Sequence, residues 1–338
     1  MAPFLLMADI QSDVLSRTIE LRTHYDAVID NALTDAAQVL AASVTADTGY
    51  AASSGFSGDD RKAVDAFIAS LAGGLGVSSD EAGRSRVRRH VPVLVSVGPN
   101  GAALHVCLPV RGPDGIALYR TVCLPAVPYA WSGSDGKYLV RFTLGEAVDV
   151  TELSTGTVSS GHWRLWCEAI PELGTDAGFR ALRADTVAGV VRGLLESGLA
   201  MADDASATTA GGDAPALADH LGSGNETGVM TRFDLPDIED ATFRRAVSDI
   251  GVLAFIRGMP VGYDRTYSTF AFGGARVVRN QTLVGYEWES QRIYCREACQ
   301  TYQLRTRMPG FATDALQWFT SAREAATTGY RPCSDCGR

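Results

Sequence analysis

The chain has 338 residues, of which 46% are hydrophobic, so it is long enough to form roughly two or three domains with buried cores. Its formal net charge of −9 argues against a general nucleic-acid-binding protein, which needs a basic face. No apolar stretch reaches the roughly 18 residues that a membrane-spanning helix requires.

The first predicted element is a long amphipathic helix over residues 1–48. Apolar or small side chains recur every three or four residues and form one stripe: Val14, Thr18, Leu21, Tyr25, Val28, Ala32, Ala36 and Val39. At about 1.5 Å per residue the helix extends for about 60 Å, which is long for a globular domain. We therefore expect the stripe to pack against a second copy of the chain or against a partner helix.

The N-terminal sequence MAPFLLMADIQ opens this helix with a short apolar run. It has neither the basic region nor the small-residue cleavage site of a signal peptide. One interpretation is a helix start that docks on the core. The alternative is the end of a longer membrane helix whose upstream part is missing from this sequence. Membrane anchoring is expected only in the second case, and cytoplasmic and cell-surface locations both stay open.

Residues 49–283 predict a central α+β domain. The expected elements, in chain order, are a helix from Asp59 or Asp60 to Leu75, a β-meander over 91–152, a helix over 176–201, a flexible excursion over 202–226, a strand at 229–236, a helix at 237–258 and strands at 267–278 and 281–289. Glycine and proline turns separate the strands of the meander. The fold class that follows is α+β: a long N-terminal helix, a mainly antiparallel sheet with packed helices, and a small C-terminal module with four cysteines.

Two histidines in the central domain are weak candidates for a site. His105 and Cys107 lie on the same face of a predicted strand, which permits a metal pair but is more typical of a strand with an incidental histidine. His162 lies beside Trp163 and Trp166, and this grouping favours aromatic packing over a ligand pocket.

A carboxylate cluster lies where the predicted strand at 229–236 meets the predicted helix at 237–258. Asp234, Asp237, Glu239 and Asp240 have the residue types needed for acid–base chemistry or Mg²⁺ binding. They also lie at the start of a predicted helix, where the helix dipole favours acidic side chains. The sequence has none of the common nucleophile, zinc-protease or nucleotide-binding motifs, so an enzyme active site in the central domain stays an alternative without named residues.

The strongest signal is a set of four cysteines near the C-terminal end. Cys295 and Cys299 are separated by three residues, and Cys333 and Cys336 by two. Each pair can present two thiolates from a short turn, and two pairs can complete a tetrahedron around Zn²⁺. The odd total of seven cysteines excludes complete disulfide pairing. Disulfides within the four, and redox chemistry of the last pair, are the remaining alternatives.

Residues 284–338 resemble the zinc-binding module at the N-terminus of the Ada DNA-repair protein. The likeness rests on an aromatic residue before the first cysteine pair, an aromatic residue with a Ser-x-x-Glu-Ala helix start, and a Gly-aromatic-Arg-Pro-Cys-x-x-Cys ending. The matching residues are Tyr294, Cys295, Arg296, Cys299, Phe319, Ser321, Glu324, Ala325, Gly329, Tyr330, Arg331, Pro332, Cys333 and Cys336. Ser321 and Glu324 also have the spacing of a capping box, and Gly329 is a typical helix end.

The resemblance implies that the four cysteines bind Zn²⁺ and that Cys295 accepts a methyl group from a DNA phosphotriester. A zinc-bound thiolate stays deprotonated, which such chemistry needs. The basic run that follows the second cysteine in the family is QTYQ here. Residues 286–338 contain seven arginines against six acids, which is no strong nucleic-acid signal. We therefore expect a structural zinc knuckle, with methylphosphotriester repair by Cys295 as the alternative.

The outline of the chain is similar to that of pilins and pilin-like proteins, in which a long helix with an apolar start precedes a β-meander. This likeness concerns shape only. It favours a non-enzymatic structural or interaction protein, such as a surface or pilus-like assembly component, over an enzyme.

Overall fold

The computed structural model describes residues 2–46, 60–111, 117–209, 250–262, 265–275, 283–296, 299–308, 311, 315–319, 322–334 and 336. The helices in these residues are α1 (Ala2–Ala46), α2 (Asp60–Gly74), α3 (Glu81–Arg89), α4 (Asp176–Thr209), α5 (Gln300–Arg305) and α6 (Ala322–Thr327). The strands are β1 (Val93–Val97), β2 (Gly101–Arg111), β3 (Ala117–Cys123), β4 (Val127–Ser132), β5 (Tyr138–Phe142), β6 (Ala147–Glu152), β7 (Val158–His162), β8 (Ile250–Gly262), β9 (Arg265–Ala275), β10 (Leu283–Trp288), β11 (Gln291–Arg296), β12 (Gln317–Phe319) and β13 (Arg331–Pro332). The predicted α+β class is confirmed.

The chain divides into two units. The first comprises Met1–Val127 and Val187–Val277, and the second comprises Pro128–Thr186 and Val278–Arg338. The division into 1–48, 49–283 and 284–338 that the sequence suggests stays a prediction. No helix in the described ranges combines the length and the apolar character needed to cross a membrane.

The first unit is built on an antiparallel sheet in the order β3-β2-β1-β8-β9. All residues of β1 and the first seven of β8 are buried. Both strands lie inside the sheet, so they carry near-continuous apolar runs instead of an alternating pattern.

The helix expected at 237–258 is wrong where the structure describes it, because Ile250–Gly262 is strand β8. The run IGVLAFI is apolar at almost every position. In so short a run, periodicity cannot separate a buried strand from a buried helix. Pairing with β1 on one side and β9 on the other decides the outcome. Residues 237–249, and with them Asp237, Glu239 and Asp240, lie outside the described residues, as does Asp234.

The long N-terminal helix is confirmed as α1, and its C-terminal half packs on α2, β8 and β9. Val28, Ala32 and Ala36 of the predicted stripe are buried there. The helix comes so close to β9 that a Cβ added to Gly273 would lie 2.5 Å from the Leu33 carbonyl carbon. From Val28 onward the stripe is therefore part of the core of the first unit.

Two other helices differ from the expectation. α3 was missed because Val87 is its one large apolar core residue, although Asp80 marks its start by accepting a hydrogen bond from the Gly83 N–H at 2.7 Å. α4 continues to Thr209, so residues 202–209 of the predicted flexible excursion are helical. Residues 210–226 lie outside the described residues.

The second unit contains two sheets. One is antiparallel in the order β4-β5-β6-β7. The other, called here the C-terminal sheet, has the order β12-β10-β11-β13. Its first three strands are antiparallel neighbours, whereas β13 pairs in parallel with β11. This parallel pair positions the cysteines.

Candidate metal centre

The C-terminal sheet brings the two cysteine pairs together. In the parallel pairing of β11 with β13, Tyr294 lies opposite Pro332, so the next residues along the two strands, Cys295 and Cys333, become neighbours. The Cys333 N–H donates to the Tyr294 carbonyl at 2.9 Å and extends this pairing. The four Sγ atoms of Cys295, Cys299, Cys333 and Cys336 lie within 4.8 Å of one another.

Each pair is closed by a backbone hydrogen bond across its own turn. The Cys299 N–H donates to the Arg296 carbonyl at 2.8 Å, and the Cys336 N–H donates to the Cys333 carbonyl at 3.1 Å. These bonds hold Cys299 close to Arg296 and Cys336 close to Cys333. Gly329, with φ of 88°, follows α6 and is the helix end that the sequence predicted. Ser321, its expected capping residue at the other end, lies outside the described residues.

The sulfur geometry fits a tetrahedral ion better than a disulfide. Cys299 Sγ and Cys333 Sγ are 3.7 Å apart. A tetrahedron with metal–sulfur bonds of about 2.3 Å has edges of about 3.8 Å, whereas a disulfide bond is about 2.05 Å long. All seven cysteines lie within the described residues, and none is in a disulfide. Four close cysteines of this kind can hold a metal ion.

The centre is mostly enclosed. Cys295, Cys299 and Cys333 are buried, with Cys295 at 0% exposure, and Cys336 is half-buried. Burial raises the pKa of the Cys295 thiol well above its ordinary value and raises the pKa of Cys336 to about 11. Buried thiols of this kind resist ionisation on their own. A bound cation acts in the opposite direction, because it stabilises the thiolate.

Two polar groups of the C-terminal sheet contact the sulfurs. The Arg296 N–H donates to Cys336 Sγ at 3.4 Å, and the Tyr286 hydroxyl lies 3.2 Å from Cys295 Sγ. Tyr286 is 1% exposed and packs in an apolar shell around the cysteines. No sequence motif marks Tyr286, because its contact depends on the register in which β10 pairs with β11.

The other candidate residues are used in local contacts. His105 Nε2 lies 2.5 Å from Ser96 Oγ, and Cys107 Sγ lies 3.5 Å from Thr121 Oγ1. Within the described parts of the chain, the four cysteines are the one group of three or more side chains placed to share a metal ion. The contacts of His105 therefore favour an incidental histidine on a strand over a metal pair with Cys107.

Aromatic packing is confirmed around His162. Its ring stacks on Trp163 at 5.8 Å and on Trp318 of β12 at 5.2 Å between centroids, and its Nε2 lies 2.8 Å from a carboxylate oxygen of Glu146. Arg164 covers the Trp318 ring at 4.2 Å. The contact with Trp318, which sequence reasoning missed, ties the cysteine-bearing sheet to β7.

Comparison of the chain with models of known families, with curated proteins and with solved structures gives no match. The likeness of residues 284–338 to the Ada module therefore rests on the motif residues named above, and the likeness to pilins rests on outline.

Proposed function

We propose that the four cysteines bind one Zn²⁺ as a structural crosslink, and that the protein is a non-enzymatic structural or interaction component. The observation that carries this proposal is the enclosed set of four sulfurs within 4.8 Å of one another. Tetrahedral sites with four thiolates are typical of structural zinc, whereas catalytic zinc sites keep a position open for water or substrate.

The crosslink joins short segments of the C-terminal sheet and its helices. β13 consists of two residues, Arg331 and Pro332, and α5 and α6 have six residues each. Helices and strands this short are marginal without an added constraint. Zinc supplies that constraint, since its binding free energy in small thiolate modules, about 10–16 kcal/mol, is also folding free energy.

The surroundings of Cys295 favour a scaffold over a reagent. A phosphotriester has to reach the sulfur that accepts its methyl group, yet Cys295 is 0% exposed and its sulfur is in contact with Tyr286. The helix after Cys299 begins Gln300–Thr301, without the basic residues that would hold phosphates. Methyl transfer to Cys295 is therefore the less favoured function. A methyl adduct on Cys295 after incubation with methylphosphotriester DNA would establish it instead.

The interaction role rests on the N-terminal half of α1. Leu15 and Ile19, one turn apart, are 56% and 55% exposed, in contrast to the buried positions from Val28 onward. An exposed apolar pair on a long helix is a surface on which a second copy can pack. We infer self-association through this half of α1.

Size-exclusion chromatography with light scattering tests the association. The double variant Leu15→Glu/Ile19→Glu should shift the protein to a smaller species, because it places charge in the contact. Arg17→Glu/His24→Glu, at exposed polar positions on another face of the same helix, is the matched control. Deletion of residues 1–47 is a poor test, because it removes buried core residues such as Leu33 and Leu40. A wild-type monomer at all concentrations would refute self-association.

Cys333→Ser tests the crosslink. We expect the variant to lose zinc and to lose amide-exchange protection in the C-terminal sheet, measured by hydrogen exchange with mass spectrometry. Cys123→Ser changes an exposed thiol outside the cluster and should retain both. Unchanged protection and metal content in Cys333→Ser would refute the structural role.

A further inference from the structure

A chain of two hydrogen bonds leads from a guanidinium group to one of the sulfurs. Arg305 Nη1 donates to the Tyr286 hydroxyl oxygen at 2.9 Å, and that oxygen lies 3.2 Å from Cys295 Sγ. Arginine has no acceptor and donates only. The Tyr286 oxygen is thus the acceptor from Arg305, and its own hydrogen is left to point toward the sulfur. A metal-bound thiolate can only accept, so both contacts are satisfied with one orientation of the hydroxyl.

Packing fixes both members of this chain. Tyr286 is 1% exposed, and its ring lies 5.7 Å from the Tyr302 ring and 5.4 Å from the Phe311 ring. The Arg305 guanidinium lies over the Trp288 ring at 5.2 Å and over the Tyr286 ring at 5.8 Å. Such cation–π contacts restrict a guanidinium to one place.

One short helix links this cation to the metal ligands. α5 begins directly after Cys299, which is one of the candidate ligands, and Arg305 is its last residue. The ligand and the cation therefore lie at opposite ends of the same helix. A cation at this end of a helix is favoured by the helix dipole. Displacement of α5 would therefore move the cation together with Cys299.

The negative charge of the metal site favours hydrogen-bond donors close to the sulfurs. Four thiolates around Zn²⁺ leave a net double negative charge in a buried site, and hydrogen bonds to charged acceptors are stronger than those between neutral groups. Partners that donate to metal ligands typically change metal affinity by about 10–100-fold.

We propose that Tyr286, oriented by Arg305, is a positioning residue of the metal centre: it donates to the Cys295 thiolate and presents the arginine charge to the tetrathiolate site. This inference rests on the proposed zinc site. It assigns to β10 and to the end of α5 the role of retaining the ion, in addition to the four ligands.

The test compares Tyr286→Phe with Tyr294→Phe. The control removes the hydroxyl of the residue adjacent to Cys295, a hydroxyl with no hydrogen-bond partner among the described residues. Zinc affinity is measured by competition with a chromogenic chelator, and the sulfur-to-metal charge-transfer band is recorded after substitution with Co²⁺. We expect Tyr286→Phe to weaken zinc binding by about 10–100-fold. The band should move to longer wavelength, because the sulfur that loses a hydrogen bond becomes a better electron donor. Tyr294→Phe should match the wild type in both.

Arg305→Gln is a second variant that tests the same inference if Tyr286→Phe disturbs the core. Arg305 is only half-buried, and Arg307→Gln, at an exposed position nearby, is its control. We expect Arg305→Gln to weaken zinc binding in the same direction as Tyr286→Phe, and Arg307→Gln to leave it unchanged. Wild-type affinity and an unshifted band in both Tyr286→Phe and Arg305→Gln would overturn this inference while leaving the zinc site intact. A wild-type protein that binds neither zinc nor cobalt would instead overturn the proposed function.

Discussion

His105 should make the stability of the first unit depend on pH. The side chain is 0% exposed on β2, and burial lowers its pKa to about 4. Its Nε2 contacts Ser96 Oγ, whereas Nδ1 has no hydrogen-bond partner in the described structure. A second proton would therefore place an unsatisfied N–H and a charge in the core, which is costly.

The sign and size of the effect follow from proton linkage. The folded pKa lies below the value of about 6.5 in the unfolded chain. As the pH falls from about 6.5 to about 4, the unfolded state takes up a proton that the folded state does not, so unfolding becomes more favourable. At about 1.36 kcal/mol per pKa unit, the loss of unfolding free energy is about 2 kcal/mol at pH 5 and about 3 kcal/mol at pH 4. Above about pH 6.5 the effect is absent.

Urea unfolding of the wild type and of His105→Gln, at several pH values from about 7.5 to 4.5, isolates this contribution. Other titrating groups, including His90 with its lowered pKa, are common to both proteins and cancel in the difference. We expect the wild type to lose about 2 kcal/mol relative to the variant between pH 7.5 and 5. A difference that stays constant over this range would refute the assignment of an uncharged His105.

Two further predictions concern packing. Gly273→Ala should cost about 1–3 kcal/mol of unfolding free energy in urea titration, because its Cβ would meet the backbone of Leu33. The control Gly193→Ala, where nothing lies within 4 Å, should be neutral or slightly stabilising. Equal effects of the two variants would contradict the close approach of α1 to β9. Trp318→Ala should cost about 2–3 kcal/mol and raise amide exchange in both β12 and β7, because the ring contacts both His162 and Arg164. Trp318→Phe should keep most of the contact, and exchange that rises in neither strand would contradict the stack.

Local signals in the sequence were sufficient for much of the fold. The long amphipathic pattern predicted α1, and an acidic helix start predicted α2. Glycine and proline turns predicted antiparallel neighbours such as β1–β2, β2–β3 and β5–β6, although β3 and β4 do not pair with each other as a continuous meander requires. The proximity of Cys295 to Cys299, and of Cys333 to Cys336, also follows from local spacing, since two or three residues separate the members of each pair. These features need no knowledge of which segments pair.

The features that the sequence did not predict depend on pairing between distant segments. The sequence predicts a helix where β8 forms, because the central place of β8 in a sheet is a tertiary property that a short apolar run does not encode. The contact of Tyr286 with Cys295 requires the register of β10 on β11, and the contact of Trp318 with His162 requires β12 to lie against β7. Neither the strand pairing of β8 nor these two contacts can be derived from the spacing of residues along the chain.

Elemental analysis of the full-length protein, purified without chelator, tests the central claim most directly when it is combined with a count of reactive thiols under denaturing conditions. We predict about one zinc per chain and seven free thiols after denaturation. Protein without bound metal, in which Cys295, Cys299, Cys333 and Cys336 are oxidised to disulfides, would contradict the claim that one ion holds the C-terminal sheet together.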